Sequence, residues 1–218
     1  MDYTAIILAA GSGIRTGLDI NKVLVEINGK RVLDYSIEFF KKSKVCKEIV
    51  LVCSESDYNY IYSTYSEVVN TIITGGITRQ QSVYKGLNKA TYSYVLVHDS
   101  ARPYINKGCI DELVDNLLET KATTLAVFAK DTIVKVSGNR LGKPLNRNEL
   151  LIIQTPQAFS RDLLLEAHEK AIKAGYIGTD DTSLVAKFTN VTPAYVIGDY
   201  RSIKLTTKDD IEILKVIL

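Results

Sequence analysis

An apolar run, Ala5-Ile6-Ile7-Leu8-Ala9-Ala10, opens without a break into Gly11-Ser12-Gly13-Ile14-Arg15-Thr16-Gly17, and Lys22 follows soon after. This reads as a buried strand feeding a phosphate cradle. Glycines let the backbone turn tightly and bring successive N–H groups toward an anion, while the small side chains of Ala9, Ala10 and Ser12 leave room for it. Arg15 and Lys22 add fixed positive charge. In open α/β sheets ligands bind beyond the carboxyl ends of strands, where this loop falls. The expected ligand is a nucleotide or sugar phosphate. Gly11, Gly13 and Gly17 are spaced G-x-G-x-x-x-G, which fits neither the Walker pattern nor the dinucleotide fingerprint. No acidic strand end for a ribose follows about 20 residues on, so a dinucleotide-dependent oxidoreductase is disfavoured. A glycine turn with no ligand is the plain alternative, and the two basic residues weigh against it.

Strand-like and helix-like runs alternate through most of the chain, which points to an α/β fold with a mainly parallel, twisted sheet and helices on both faces. After the first strand come Glu48–Cys53, Val69–Ile73, Tyr94–His98 and Thr124–Phe128, each short, apolar and rich in β-branched residues. Between them Leu33–Phe40, Gln80–Lys89 and Ile110–Leu118 repeat apolar residues at helical spacing. The pattern changes after Ala129. Residues 131–153 read as a protruding β-arm, with Ser137-Gly138-Asn139 at a turn, and an arm with one apolar face suits a dimer contact. A helix over Arg161–Ala174 follows. Thr179 or Asp181 is placed to cap the next short helix. A strand at Tyr195–Ile197, the segment Ile203–Leu205 and a helix over Lys208–Leu218 complete the order. Residues 1–218 are thus expected to form one domain carrying the arm.

Composition narrows the partners. Lys and Arg number 27 against 25 Asp and Glu, a net charge of +2, which gives no sign of a nucleic-acid surface. No apolar run approaches the roughly 18 residues of a transmembrane helix, and no signal-peptide pattern is present, so a cytoplasmic protein is expected. Cys46, Cys53 and Cys109 form no C-x-x-C pair and read as small buried apolar residues.

Four further motifs follow strands, where loops carry chemistry. In His98-Asp99-Ser100-Ala101-Arg102-Pro103 the strand delivers Asp99 to the edge that holds the glycine loop. A carboxylate facing bound phosphates calls for a divalent cation between them, with Arg102 as the counter-ion that steadies it. In Gly75-Gly76-Ile77-Thr78-Arg79-Gln80-Gln81-Ser82 a glycine pair exposes main-chain groups able to read a pyrimidine edge together with the Ser82 hydroxyl; an ordinary helix cap is the alternative. Gln154-Thr155-Pro156-Gln157-Ala158-Phe159 reads as turn makers. Lys204, between Ile203 and Leu205 at a strand end, is costly to bury unless an anion receives it, whereas Thr206 reads as a helix cap.

With these residues in hand, the chain resembles the 2-C-methyl-D-erythritol 4-phosphate cytidylyltransferases of the non-mevalonate isoprenoid pathway. The likeness runs nearly end to end, through Ala9–Arg15, Asn21-Lys22, Gly75-Gly76 with Arg79 and Ser82, Val97–Pro103, Asp131-Thr132, Gln154–Phe159, Thr179-Asp180-Asp181 and Ile203–Thr207. It implies a Rossmann-like nucleotidyltransferase fold, a homodimer, CTP and a sugar-alcohol phosphate as substrates, and a divalent ion, usually Mg²⁺. On this resemblance Arg15, Lys22, Lys204 and Asp99 are catalytic, with Asp99 also the metal ligand. Ala9, Ala10, Gly11, Gly13, Gly75, Gly76, Ser82 and Ala101 hold the nucleotide. Thr155 and Thr179 bind the acceptor, and Thr132 and Arg147 reach it from the opposite subunit. The chain departs from the family pattern at Asn21, often Pro, and Ser202, often Asn. Ribitol 5-phosphate cytidylyltransferases share much of the pattern, but Ala9-Ala10, Ser100-Ala101 and Thr179-Asp180-Asp181 look more like the methylerythritol branch. Asp99 and Lys204 together argue against a nucleotide-binding module without turnover.

Overall fold

The structure, a computed structural model, describes residues 1–11 and 20–218. In chain order it runs β1 (Tyr3–Ala9), β2 (Glu26–Ile27), β3 (Lys30–Arg31), α1 (Val32–Lys42), β4 (Cys46–Cys53), α2 (Tyr58–Tyr65), β5 (Thr71–Thr74), α3 (Arg79–Leu87) and β6 (Tyr94–Asp99). Then follow α4 (Lys107–Thr120), β7 (Ala122–Phe128), β8 (Val134–Ser137), β9 (Arg140–Pro144), β10 (Leu151–Ser160), α5 (Arg161–Lys173), α6 (Asp181–Phe188), β11 (Ala194–Ile197) and α7 (Asp209–Ile217).

The main sheet has seven strands in the order β11-β7-β10-β6-β1-β4-β5. All its neighbours are parallel except β10, which runs antiparallel to both β6 and β7. The mainly parallel α/β expectation holds. β1 is buried along its whole length because successive side chains feed opposite cores. Tyr3, Ala5, Ile7 and Ala9 pack with Leu33, Ile37 and Phe40 of α1 and with Ile110, Leu113 and Leu117 of α4. Ile6 and Leu8 pack with Val83 and Leu87 of α3, Leu164 and Ala167 of α5, and Leu184 and Val185 of α6. Each such large side chain taken from water stabilises the fold by about 1.5–3 kcal/mol. α3 lies close against β1, since a Cβ on Gly86 would come within 2.7 Å of Ile6 Cγ2.

Register places the strand ends together. Ala9 pairs with Cys53, Cys53 with Thr74, and Leu8 with Asp99, so the segments after β1, β4, β5 and β6 emerge on one carboxyl edge. Several expectations are corrected. The segment Gln154–Phe159 is no turn but the body of β10, whose pairing with β7 shifts register between Ile153 and Gln157. The expected strand at Val69–Ile73 runs Thr71–Thr74. α2 was not foreseen, because its sequence YNYIYSTY is rich in residues that favour strands and buries only Ile61 and Tyr65. Ile203–Leu205 forms no strand. Thr206 does not cap α7; its N–H and hydroxyl both donate to Asp210 in that helix's first turn. Cys53 is buried, but Cys46 and Cys109 are only half-buried.

β8 and β9 pair only with each other, joined through Gly138 at a φ of +58° that favours glycine. Their side chains are largely exposed. Among the described residues no helix is long and apolar enough to cross a membrane.

Candidate active site

The carboxyl edge holds a cleft of about 370 Å³ lined by Ala10, Gly11, Lys22, Gly76, Arg79, Ser82, Asp99, Ala101 and Lys204, among others. Its centre is Asp99, the last residue of β6. Oδ1 accepts from Arg79 Nε at 3.0 Å and Oδ2 from Lys204 Nζ at 2.6 Å. Burial pushes the Asp99 carboxyl up, but Arg79 and Lys204 outweigh it and hold the group well below the usual carboxylate range. Arg79 also reaches Asp181 Oδ2 from Nη1 at 2.7 Å. Burial lowers the guanidinium, and the charges of Asp181 and Asp99 raise it above its ordinary value. The anion that Lys204 requires is therefore Asp99 itself.

Arg102 is not the counter-ion. Its backbone N–H closes the turn onto the Asp99 carbonyl at 2.9 Å, and its side chain runs on to the Ser202 carbonyl at 2.6 Å from Nη1. Arg79, at the first turn of α3, takes the place expected of it. Asp181 also differs from expectation. Asp180 is the cap of α6, accepting from Ser183 N at 3.0 Å, whereas the Asp181 side chain is 1 % exposed and turned inward.

Buried polar groups of β10 hold this edge in place. Thr155 Oγ1 accepts from Asp99 N at 3.1 Å and donates toward His98 Nδ1 at 3.2 Å, while His98 Nε2 faces the Arg102 carbonyl at 3.2 Å. Burial pushes the His98 imidazole down to about 4, which matches a neutral ring that accepts at one nitrogen and donates at the other. Gln157 donates to Asp180 Oδ2 at 2.8 Å and accepts from Asp181 N at 3.2 Å. Thr155 thus stands behind Asp99, 6 % exposed, not open on the cleft.

The glycine pair is required by close approach. A Cβ on Gly75 would lie 2.6 Å from Ser82 Oγ and 2.8 Å from the Ala10 Cβ, and one on Gly76 would lie 2.3 Å from the Gln81 Cβ. Thr78 and Gln81 form a capping box that starts α3. Ser82 Oγ accepts from Gly76 N and donates to the Thr78 carbonyl, both at 3.0 Å. Its proton is thus already engaged in shaping the turn. Lys85 donates to the Gly75 carbonyl at 2.7 Å.

Lys22 is 8 % exposed and its ammonium donates to the Leu205 carbonyl at 2.8 Å. Leu205 N in turn donates to the Ala101 carbonyl at 2.8 Å, so the two lysine-bearing segments are laced to the turn after β6. Asn21 ties the same region down, donating to the Ala9 carbonyl at 3.3 Å and to Asp57 at 2.8 Å. Gly13 and Arg15 lie outside the described residues. Ala9 is buried within β1. Thr132, Arg147 and Thr179 are exposed and are not among the residues that line the cleft. Arg147 Nη1 donates to the Lys130 carbonyl at 2.7 Å beside a separate cavity at the arm's base. In the sequence alone Arg79 has no assigned role, and Asp181 reads, as an alternative to Thr179, as a helix cap. An arginine opening a helix just after a glycine pair at a strand end was the signal available.

Each Asp99 oxygen takes one N–H and retains a further acceptor position. Mg²⁺ commonly needs one or two carboxylates alongside substrate phosphates. Asp99 fits such an ion.

The family model described as IspD, 2-C-methyl-D-erythritol 4-phosphate cytidylyltransferase, matches residues 3–218. A protein of Bacillus velezensis with the same description is 39 % identical over 97 % of this chain and 93 % of its own. One of Geobacillus thermodenitrificans is 40 % identical over 100 % of this chain and 97 % of its own. The crystal structure of a 4-diphosphocytidyl-2C-methyl-D-erythritol synthase from Anaerococcus prevotii superposes with a TM-score of 0.87 at 29 % identity, covering 98 % of this chain and 94 % of that one.

Proposed function

The chain belongs to the 2-C-methyl-D-erythritol 4-phosphate cytidylyltransferase family, and from that membership we infer its reaction. CMP passes from CTP to 2-C-methyl-D-erythritol 4-phosphate, pyrophosphate leaves, and 4-diphosphocytidyl-2-C-methyl-D-erythritol is formed. The family match favours this acceptor over ribitol 5-phosphate. The observation that carries the mechanism is the meeting of Lys22, Lys204, Arg79 and Asp99 in one cleft beside the Gly75-Gly76 turn.

A phosphate oxygen of the acceptor attacks the α-phosphorus of CTP in line. The new P–O bond forms as the bond to the β-phosphate oxygen breaks. The acceptor phosphate is already ionised, so no general base is needed. The protein's task is to hold two polyanions at reacting distance and to stabilise charge on the five-coordinate phosphorus. Lys22 and Lys204 do this, with Arg15 at the glycine loop. Among the described residues Lys204 gives one N–H to Asp99, and its other N–H groups are on hand for phosphate oxygen. Gly11 and Ala10 border the triphosphate; Gly75, Gly76 and Ser82, with Ala101 nearby, shape the cytosine site. Asp99 would hold a divalent ion that, when bound, neutralises phosphate charge.

The same reading makes 131–153 a dimer arm of a single domain, with Thr132 and Arg147 meeting the acceptor in the partner's cleft, beside Thr179, and it sets the enzyme in the cytoplasm. Apolar arm side chains with high exposure support this, Val136 at 70 % and Leu141 at 77 %. The test is pyrophosphate release from CTP and Mg²⁺ with methylerythritol phosphate and ribitol 5-phosphate in parallel. Release with the first alone is expected; release with the second alone moves the acceptor, and release with neither removes the catalytic reading.

A further inference from the structure

Behind the cleft-lining Arg79 and Asp99, the buried side chains of Asp181 and His168 continue a polar chain without lining the cleft themselves. Arg79 is gripped on two edges of its planar guanidinium, by Asp99 at Nε and by Asp181 at Nη1. Two contacts on different edges fix the plane, where one would leave a long side chain free to swing. Asp181 is fixed in turn. Its Oδ2 faces Arg79, and its Oδ1 lies 3.2 Å from His168 Nε2.

His168 is fully buried in α5, and its Nδ1 has no partner among the described residues. The proton therefore belongs on Nε2, aimed at Asp181, because the other tautomer would bury an orphaned N–H and turn a lone pair toward a carboxylate. The ring also stacks on Tyr84 of α3, with centroids 6.1 Å apart and planes 24° from parallel. An imidazole with one nitrogen unsatisfied is a poorer core filler than an apolar side chain of similar size. Its one directed bond, to Asp181, is what an apolar residue could not supply.

We propose that His168 is a positioning residue for the transfer: it orients Asp181, Asp181 fixes Arg79, and Arg79 sets the Asp99 carboxylate and, through it, Lys204 in the cleft. The proposal rests on the reaction inferred above. Because the relay ends on Asp99 and Lys204, which act on the phosphates as charge redistributes, its loss should appear in kcat more than in KM for CTP.

Two variants separate this role from packing. His168→Gln keeps an N–H near the position of Nε2; His168→Leu keeps bulk and removes the donor. In the pyrophosphate assay His168→Leu is expected to lower kcat about 10- to 30-fold with KM for CTP changed less than about threefold, and His168→Gln to stay within about threefold of wild type. Both should stay folded at the assay temperature, His168→Leu melting somewhat lower because Asp181 Oδ1 loses its buried donor. A second readout uses no substrate: in protein labelled with ¹⁵N-arginine, the Arg79 Nε–H signal, assigned by its loss in Arg79→Lys, should exchange slowly in wild type and His168→Gln and rapidly in His168→Leu. A silent wild-type assay would overturn the inferred reaction yet leave the arginine signal to decide the relay. Wild-type kcat in His168→Leu, equal losses in both variants, or an unchanged Arg79 signal in His168→Leu would overturn the proposal.

Discussion

In and just behind the cleft, Asp99 and Asp181 are buried and Arg79 and Lys204 half-buried, yet all four are charged and each meets an opposite charge from its own chain. In the arm, Val136 and Leu141 are apolar yet mostly exposed. A buried charge left alone costs several kcal/mol, so the first region has to be compensated as the chain folds. An exposed apolar side chain forgoes about 1.5–3 kcal/mol of burial and can wait for a second surface. The difference separates a region whose charges are compensated within one chain from one whose apolar side chains remain largely uncovered by the described residues.

The cleft side of that contrast breaks first at its lysines. Lys22→Ala and Lys204→Ala are each expected to slow turnover roughly 10²–10³-fold, as loss of one preorganised donor does elsewhere, read as pyrophosphate release at saturating CTP. Near-normal rates would remove those residues from the chemistry. Lys22 also anchors to the Leu205 carbonyl, so its variant should lose some thermal stability as well.

His98 gives the next largest effect, on stability against pH. Burial pushes its ring down to about 4 in the folded chain, against about 6.5 when unfolded, so between these values the unfolded state binds a proton that the folded state does not. The contribution is full above about pH 6.5 and is lost as pH falls toward 4, at about 1.4 kcal/mol per unit and about 3 kcal/mol in total. Asp99 and Asp181, whose carboxyls are held low, keep their contribution through this window and lose it only at still lower pH. Melting curves of wild type and His98→Asn between pH 7.5 and 4.5 should diverge, the variant having the shallower slope; parallel curves would contradict the assignment.

The smallest effect belongs to Asn21. Its amide ties the Ala9 carbonyl and Asp57, and Asn21→Ala should cost about 1 kcal/mol of stability and raise KM for CTP a few-fold with kcat kept. An unchanged KM would detach this tether from the nucleotide site.

The alternation of β1, β4, β6 and β7 with their helices was legible because strands buried on both faces leave unbroken β-branched runs. β10 was not, because Gln154, Thr155 and Gln157 look like turn residues although the sheet buries all three, Thr155 and Gln157 as props for Asp99, Asp180 and Asp181 and Gln154 as a donor to the Asp199 carbonyl. Lys22, Gly76, Ser82, Asp99 and Lys204 could be picked out singly from their places after apolar runs, and the fold brings them to one cleft. The pairing of Arg79 was not legible. Its two carboxylates lie 20 and 102 residues away in sequence, and only the fold brings the start of α3, the end of β6 and the start of α6 to one guanidinium.

The central claim is that one chain's cleft performs the transfer and a partner's arm completes it, and mixing two damaged proteins tests it most directly. Lys204→Ala lacks a cleft residue and keeps the arm; Arg147→Ala keeps the cleft and lacks an arm residue. Each alone should turn over CTP and methylerythritol phosphate poorly. After the two are unfolded together and refolded, hybrid dimers should each contain one intact site, and pyrophosphate release should rise to about a quarter of the wild-type rate if chains pair at random. A mixture no more active than the average of its components would contradict the account.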